Sequence, residues 1–234
     1  MPNLYLVRHG LTDWNVTGQY QGWSDRDLNR VGVAQAWQTA HFFATFRAPQ
    51  RSRFAAIYSS PLRRAWRTAT IIGDRLGAEP QPVPDLREMH GGLVEGLRCA
   101  EWQARFPGLV AGWADLQNLE FGWPQGETRR AFRERVRHAI TALVARHPRD
   151  ADVIVVAHGG TIAAYLLATG LDRARNMTDY QIDNCSITHV QFTGPVPWIG
   201  EPGTAACLRS FNEVGHLREA PGALASGRGA ATRA

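Results

Sequence analysis

The stretch DVIVVAHGG, Asp152–Gly160, decides how the rest of the chain is read. Its apolar run is far too short to cross a membrane and lacks the alternation of a strand with one face in water. A continuous run of this length is a strand covered on both faces, the kind found in parallel sheets with helices packed above and below. It stops on His158 and two glycines, and TIAAYLLATG then opens a helix. An earlier stretch has the same form: LYLV, Leu4–Val7, is a second buried run, and it finishes on Arg8, His9 and Gly10.

Around these two strands the pattern alternates. Val33, Ala36, Trp37, Ala40, Phe43 and Ala44 recur at helical spacing between Asn29 and about Phe46. AAIYSS, Ala55–Ser60, reads as a short strand, Pro61 as a turn or first helical position, and LRRAWRTATIIGDRL as a helix stopped near Gly77. A long helix is expected from about Glu127 to His147, and CSITHVQF and ACLRSF as strands at the sheet's other side or edge. The alternation predicts an α/β fold, three-layer α/β/α, with a mainly parallel central sheet. Residues 1–217 are expected to form one domain. Within it, prolines, glycines and Trp102, Trp113 and Trp123 mark an insertion at about 98–126, a cap over one end of the sheet that is too aromatic to be solvated. The three tryptophans are expected to be core of that insertion rather than substrate contacts. Segment 218–234 has a composition that buries no core and is expected to be disordered.

The chain of 234 residues is 44% hydrophobic and 20% charged, an ordinary globular composition. No apolar stretch reaches the ~20 residues of a membrane helix and no secretory signal precedes the first strand, so a cytoplasmic protein with no membrane partner is expected. Cys99, Cys185 and Cys207 are odd in number and form no CxxC, which argues for free thiols. The net charge of +5 is carried by arginine. Without long basic tracts or an aromatic platform it argues against a nucleic-acid partner. Much of it sits on RRAFRERVRH, expected as a solvated helix face.

In open α/β sheets ligands sit outside the carboxyl ends of the strands, which is where Arg8, His9 and His158 are delivered. The N–H groups opening the helix after His158 favour an anion, and Gly10 and Gly159 would let backbone approach it. SSPLRRAWRTA puts Arg63, Arg64 and Arg67 in the first turns of a helix, where the dipole disfavours cations and a bound anion removes the penalty. One of the three is expected to point into the pocket, with Arg63 and Arg67 facing solvent. In DLREMHGGLVEGL, Glu88 lies between Arg87 and His90, with Glu95 beyond. Beside a cationic site it could act as a general acid if it keeps its proton. There is no HExxH, DxD or clustered Cys/His spacing, and arginines beside His9, Glu88 and His158 would repel a metal ion, so neither metal nor other cofactor is expected.

R-H-G-x-T-x-W-N from Arg8, QGWSDRDLNRVGVAQA from Gln21, SSPLRRA from Ser59, LRE at Leu86–Glu88 and AHGG at Ala157–Gly160 stand in the order of the histidine phosphatase superfamily. That family contains the cofactor-dependent phosphoglycerate mutases and related phosphatases, and the chain resembles it from about Asn3 to Leu217. The resemblance implies His9 as nucleophile and Arg8, Arg64 and His158 as ligands of the phosphoryl oxygens, assisted by Asn15 and the Gly159 backbone. It implies Glu88 as proton donor to the leaving oxygen, and Gln21 and Gly22 on the substrate side. Leu11, Asp27 and the MHGGLVEGL segment depart from the family's common residues without removing a catalytic group. The function so implied is phosphomonoester hydrolysis through a phosphohistidine, on a small phosphorylated metabolite. The alternatives are phosphoglycerate mutase-type transfer and a non-catalytic phospholigand-binding module. A homodimer through the edge strand CSITHVQF is a further expectation.

Overall fold

The computed structural model describes residues 2–47, 54–148, 150–177, 180–194 and 206–217. The expectation for 218–234 falls outside the described residues. Strands are β1 (Asn3–Arg8), β2 (Ala56–Ser59), β3 (Gln81–Pro82), β4 (Asp152–Ala157), β5 (Ile187–Phe192) and β6 (Ala206–Glu213). Helices are α1 (Asp13–Thr17), α2 (Arg30–Arg47), α3 (Arg63–Leu76), α4 (Cys99–Arg105), α5 (Val110–Ala114), α6 (Arg129–Ala145) and α7 (Gly159–Ala168). The strands form one six-stranded sheet in the order β3-β2-β4-β1-β5-β6.

The sheet is mixed. β3, β2, β4 and β1 run parallel, β5 pairs antiparallel with β1, and β6 antiparallel with β5. VIVVA and LYLV are its two central partners, and every residue of β4 is buried. One face, with Tyr5, Val7, Ile57, Ile154 and Val156, packs against Ala36, Ala40 and Phe43 of α2 and Ala65, Ala69 and Ile72 of α3. The other, with Leu4, Leu6, Val153 and Val155, packs against Val136, Ile140 and Val144 of α6 and Ile162 and Tyr165 of α7. Two-sided cover is what the unalternating strands predict. Trp37 departs from the expected stripe: it is 48% exposed on the outer side of α2.

CSITHVQF is not an edge. β5 lies between β1 and β6, so the edge on that side is β6, and a strand-edge contact through CSITHVQF has no free backbone to use. Cys99, Cys185 and Cys207 are free. Among the described residues no helix is long and apolar enough to cross a membrane.

Candidate active site

Register brings the predicted strand ends together. Arg8 pairs with Ala157 across β1 and β4, and the His9 amide donates to the Ala157 carbonyl at 2.9 Å. Ser59 pairs with Val156 across β2 and β4, which sets Ser60 beside His158. His158 Nε2 lies 2.8 Å from Ser60 Oγ, and the His9 and His158 rings are 5.2 Å apart. Both imidazoles are buried.

The partner that fixes the His9 ring is its own neighbour. His9 Nδ1 lies 2.7 Å from the Gly10 carbonyl. A carbonyl only accepts, so Nδ1 holds the proton and Nε2 keeps its lone pair. Burial, then Arg64 and Arg8, hold the His9 pKa well below its ordinary value against the smaller effect of the Gly10 bond. Burial, Arg64, His9 and Arg8 do the same to His158. His9 is therefore neutral, the form a nucleophile needs.

Of the three arginines at the start of α3, helical spacing turns only Arg64 inward. It is 1% exposed, with Nη1 donating to the Ser24 carbonyl at 2.9 Å and Nη2 to the Gly22 carbonyl at 2.7 Å. Arg63 and Arg67 face out to Asp27, at 3.4 and 3.0 Å. Arg8 Nη1 donates to the Ile182 carbonyl. Arg8 Nε, Arg64 Nε and His158 Nδ1 are buried and have no partner. Unpaired buried donors cost about 1–3 kcal/mol each, more when charged. Three around one histidine describe a place for an anion.

Asn15 and Gln21 line the cavity, and Asn184 bonds to Asn15 and to the His9 backbone. Thr12 caps α1, with Asn15 Oδ1 accepting from the Thr12 amide at 3.2 Å. Asn184 donates to the His9 carbonyl at 3.0 Å and to Asn15 Oδ1 at 3.2 Å. Sequence reasoning missed Asn184, Thr12 and Ser60; no local pattern marks Asn184, which arrives only when β5 adds beside β1. Gln21 Oε1 lies 3.1 Å from Thr12 Oγ1, and Gln21, Gly22 and Gly159 line the same cavity.

Glu88 reaches the site from the loop after Leu86. Its Oε1 accepts from the Met89 amide and its Oε2 from the Gly160 amide, both at 2.9 Å. Burial raises its pKa, outweighing those two bonds and the pull of Arg64 and Arg8. The raised pKa makes Glu88 readier to carry a proton than an ordinary carboxyl at the same pH, as a proton donor requires. Arg135 of α6 holds its segment, gripping Glu127 at 2.8 Å and bonding the carbonyls of Arg87 and Glu88. Glu95 is structural: by accepting from the Trp23 amide, Ser24 Oγ and the Gly91 amide at 2.8–2.9 Å, it pins the loop whose carbonyls hold Arg64.

The glycines divide differently from expectation. A Cβ on Gly10 would stand 3.0 Å from the Gly32 carbonyl carbon, so Gly10 is small to admit α2, not a ligand. A Cβ on Gly159 would reach Arg8 only at ordinary contact distance, 3.5 Å from Nε, whereas one on Gly160 would collide with the Glu88 carboxyl.

Arg8, His9, Asn15, Gln21, Arg64 and Glu88 open into a cavity of about 410 Å³. Trp102 meets Trp113 and Trp123 edge to face at 5.4 and 5.2 Å, and Phe121 meets Trp123 at 4.9 Å. The tryptophans therefore pack together and also line the cavity. The expected solvated face of α6 is overturned in part: Arg129 and Arg133 are 5% and 8% exposed. Residues 112–118 fold against that side of the helix with spare carbonyls. Arg129 donates to those of Gly112, Trp113, Asp115 and Asn118, and Arg133 to that of Leu116.

The histidine phosphatase superfamily (branch 1) matches residues 4–201. A metal-independent phosphoserine phosphatase of Arabidopsis thaliana is 33% identical over 92% of this chain and 82% of its own length. A protein of Erwinia tasmaniensis, named as a probable phosphoglycerate mutase, is 30% identical over 94% of this chain and 96% of its own. The structure of a mycobacterial glucosyl-3-phosphoglycerate phosphatase in complex with VO3 superposes with a TM-score of 0.76 at 30% identity, covering 91% of this chain and 99% of that one.

Proposed function

This chain belongs to the histidine phosphatase superfamily and is a phosphomonoesterase, and we propose that it works by passing the phosphoryl group to His9 Nε2 and then to water. The observation that carries the reading is the buried cluster of Arg8, Arg64 and His158, each with an unpartnered nitrogen, beside a neutral His9 whose Nδ1 is tied to Gly10.

His9 Nε2 attacks phosphorus and the P–O bond to the alcohol breaks. Glu88 gives its proton to the departing oxygen. Water then attacks the phosphohistidine, losing its proton to Glu88 as the N–P bond breaks. Arg8, Arg64 and His158, with Asn15 and the Gly159 backbone, hold the peripheral oxygens. Charge spreads over those oxygens in the loose transition state, so fixed positive groups supply most of the catalysis. Every step is accounted for by these side chains and water.

The insertion gives the cavity no basic side chain, which favours hydrolysis over return to a second hydroxyl; the cations beyond the cradle, Arg129 and Arg133, come from α6. Residues 98–126 contribute only Arg98 and Arg105 as basic groups, and neither lines the cavity. Phosphoglycerate is small and polar throughout, and would leave the aromatic wall uncovered.

A phosphate donor is expected to label the protein in an acid-labile, base-stable form, and His9→Ala to abolish both label and phosphate release. Release that persists in His9→Ala overturns the mechanism. With 3-phosphoglycerate and a bisphosphate primer, free phosphate is expected; rapid isomerisation without it makes the protein a mutase.

A further inference from the structure

Beyond the phosphoryl cradle the cavity changes character. Its far walls carry Trp102, Trp113, Leu116, Phe121, Phe132 and Met177. Two cations, Arg129 and Arg133, lie one helical turn apart on the α6 side of this apolar region. Arg129 is spent, its guanidinium donating to four backbone carbonyls. Arg133 is not. It is 8% exposed and gives one N–H to Leu116 at 2.6 Å, leaving four of its five donors without a protein partner. No carboxylate among the described residues pairs with it.

None of its nitrogens is sealed from the cavity, so its uncommitted donors face that space, and a guanidinium with no counter-ion on a largely apolar wall offers an anionic ligand a partner. The ligand's shape follows from the rest of the wall: apolar along its length, with one anionic group at the end away from the phosphate. A single guanidinium matches a monoanion, and its planar fork matches a carboxylate.

We propose that the substrate is a phosphomonoester with an alkyl or aryl body ending in a carboxylate, and that Arg133 is the specificity-determining residue that receives this carboxylate. The inference rests on the phosphatase reading of the His9 site for which end of the substrate enters the cradle. Arg133 sets which ester is taken, and Arg8, Arg64 and His158 what is done to it.

The test is a series of ω-carboxyalkyl phosphates of increasing length, with 4-carboxyphenyl phosphate, each paired with its neutral amide. Charge-assisted bonding of this kind predicts kcat/KM favouring the acid over the amide by about tenfold to a hundredfold at one best length. In Arg133→Met the ratio collapses toward one, mainly through KM, and Arg133→Lys restores part of it. Arg129→Met, by contrast, is expected to lower Tm without erasing the preference. No acid preference at any length, or a ratio unchanged in Arg133→Met, overturns the inference. Binding of the matching non-hydrolysable phosphonates, measured by titration calorimetry, separates the two readings. If nothing is hydrolysed but the acid phosphonate still outbinds its amide through Arg133, the chemistry at His9 is wrong and the subsite stands.

Discussion

Gly160→Ala should damage one catalytic step and spare the fold. Gly160 is the second residue of α7, where alanine is intrinsically favoured over glycine by up to about 1 kcal/mol. Its backbone lies outside the left-handed region, so alanine meets no conformational penalty there. The added Cβ would stand 2.9 Å from Glu88 Cδ and 3.1 Å from Oε2. Carbon atoms settle at about 3.5–4.0 Å, so the carboxyl must retreat on the order of 1 Å. That also stretches the 2.9 Å bond from the Gly160 amide to Oε2.

Misplacing a reacting group by that distance costs about 100-fold, or ~2.7 kcal/mol of barrier. The loss should depend on the leaving group. An alkyl phosphate needs the Glu88 proton because its alkoxide is a poor leaving group; p-nitrophenyl phosphate needs it little. The assay is kcat/KM for the two esters, with a thermal melt of each protein. Expected are a loss of about 100-fold on the alkyl ester, a few-fold on the nitrophenyl ester, and a Tm within ~2 °C of the parent. Equal losses on both would falsify the assignment, since they would mean the phosphoryl cradle and not the acid had moved.

The pH profile and the arginine set supply two further expectations. Productive encounter needs neutral His9 and protonated Glu88, so kcat/KM should fall on the acid side only well below 6.5, because the His9 pKa is depressed, and on the alkaline side above the usual carboxylate range, because the Glu88 pKa is raised. In Glu88→Gln the alkaline limb should vanish from the residual rate on the alkyl phosphate; its survival assigns that proton to another group. Arg64→Met should lose about 10²–10³ in kcat/KM. Arg63→Ala and Arg67→Ala, which break only exposed pairs with Asp27, should stay within about twofold. A large loss from either outer arginine contradicts the inward turn of Arg64 alone.

Legibility in the sequence follows the range of the interaction. β1, β4 and the helices after them show as periodic apolar runs, because burial of a local element leaves its period in the chain. Arg8, His9 and His158 stand out because a buried strand that ends in charge is locally anomalous. For Arg64, helical spacing lets only part of the set Arg63, Arg64 and Arg67 share a face, and the resemblance selects which one turns inward. The packing role of Gly10 is invisible in the sequence because its neighbour, Gly32 of α2, is distant along the chain. Arg129 and Arg133 are misread for a similar reason: a cation-rich helix face looks solvated until residues 112–118 lay their carbonyls on it. Asn184 is unreadable, since its value lies in reaching the His9 carbonyl once β5 has paired with β1.

The charge states of the site depend on one another. His9 and His158 are held neutral and Glu88 is pushed toward its protonated form, so Arg8 and Arg64 are the charged members of the cluster. Both guanidinium groups are anchored through Nη atoms to the carbonyls of Ile182, Gly22 and Ser24, which fixes their position without neutralising them. Were Glu88 ionised, it would be their counter-ion and would compete with the phosphate for the same charges. By raising the Glu88 pKa, burial thus favours two things at once in the proposed mechanism: a proton for the leaving oxygen, and arginines left free for substrate. A change that rehydrates Glu88 should therefore weaken binding and chemistry together. Replacing Trp23, whose indole N–H bonds the Glu88 carbonyl at 2.7 Å, is the point where that coupling is most accessible from outside.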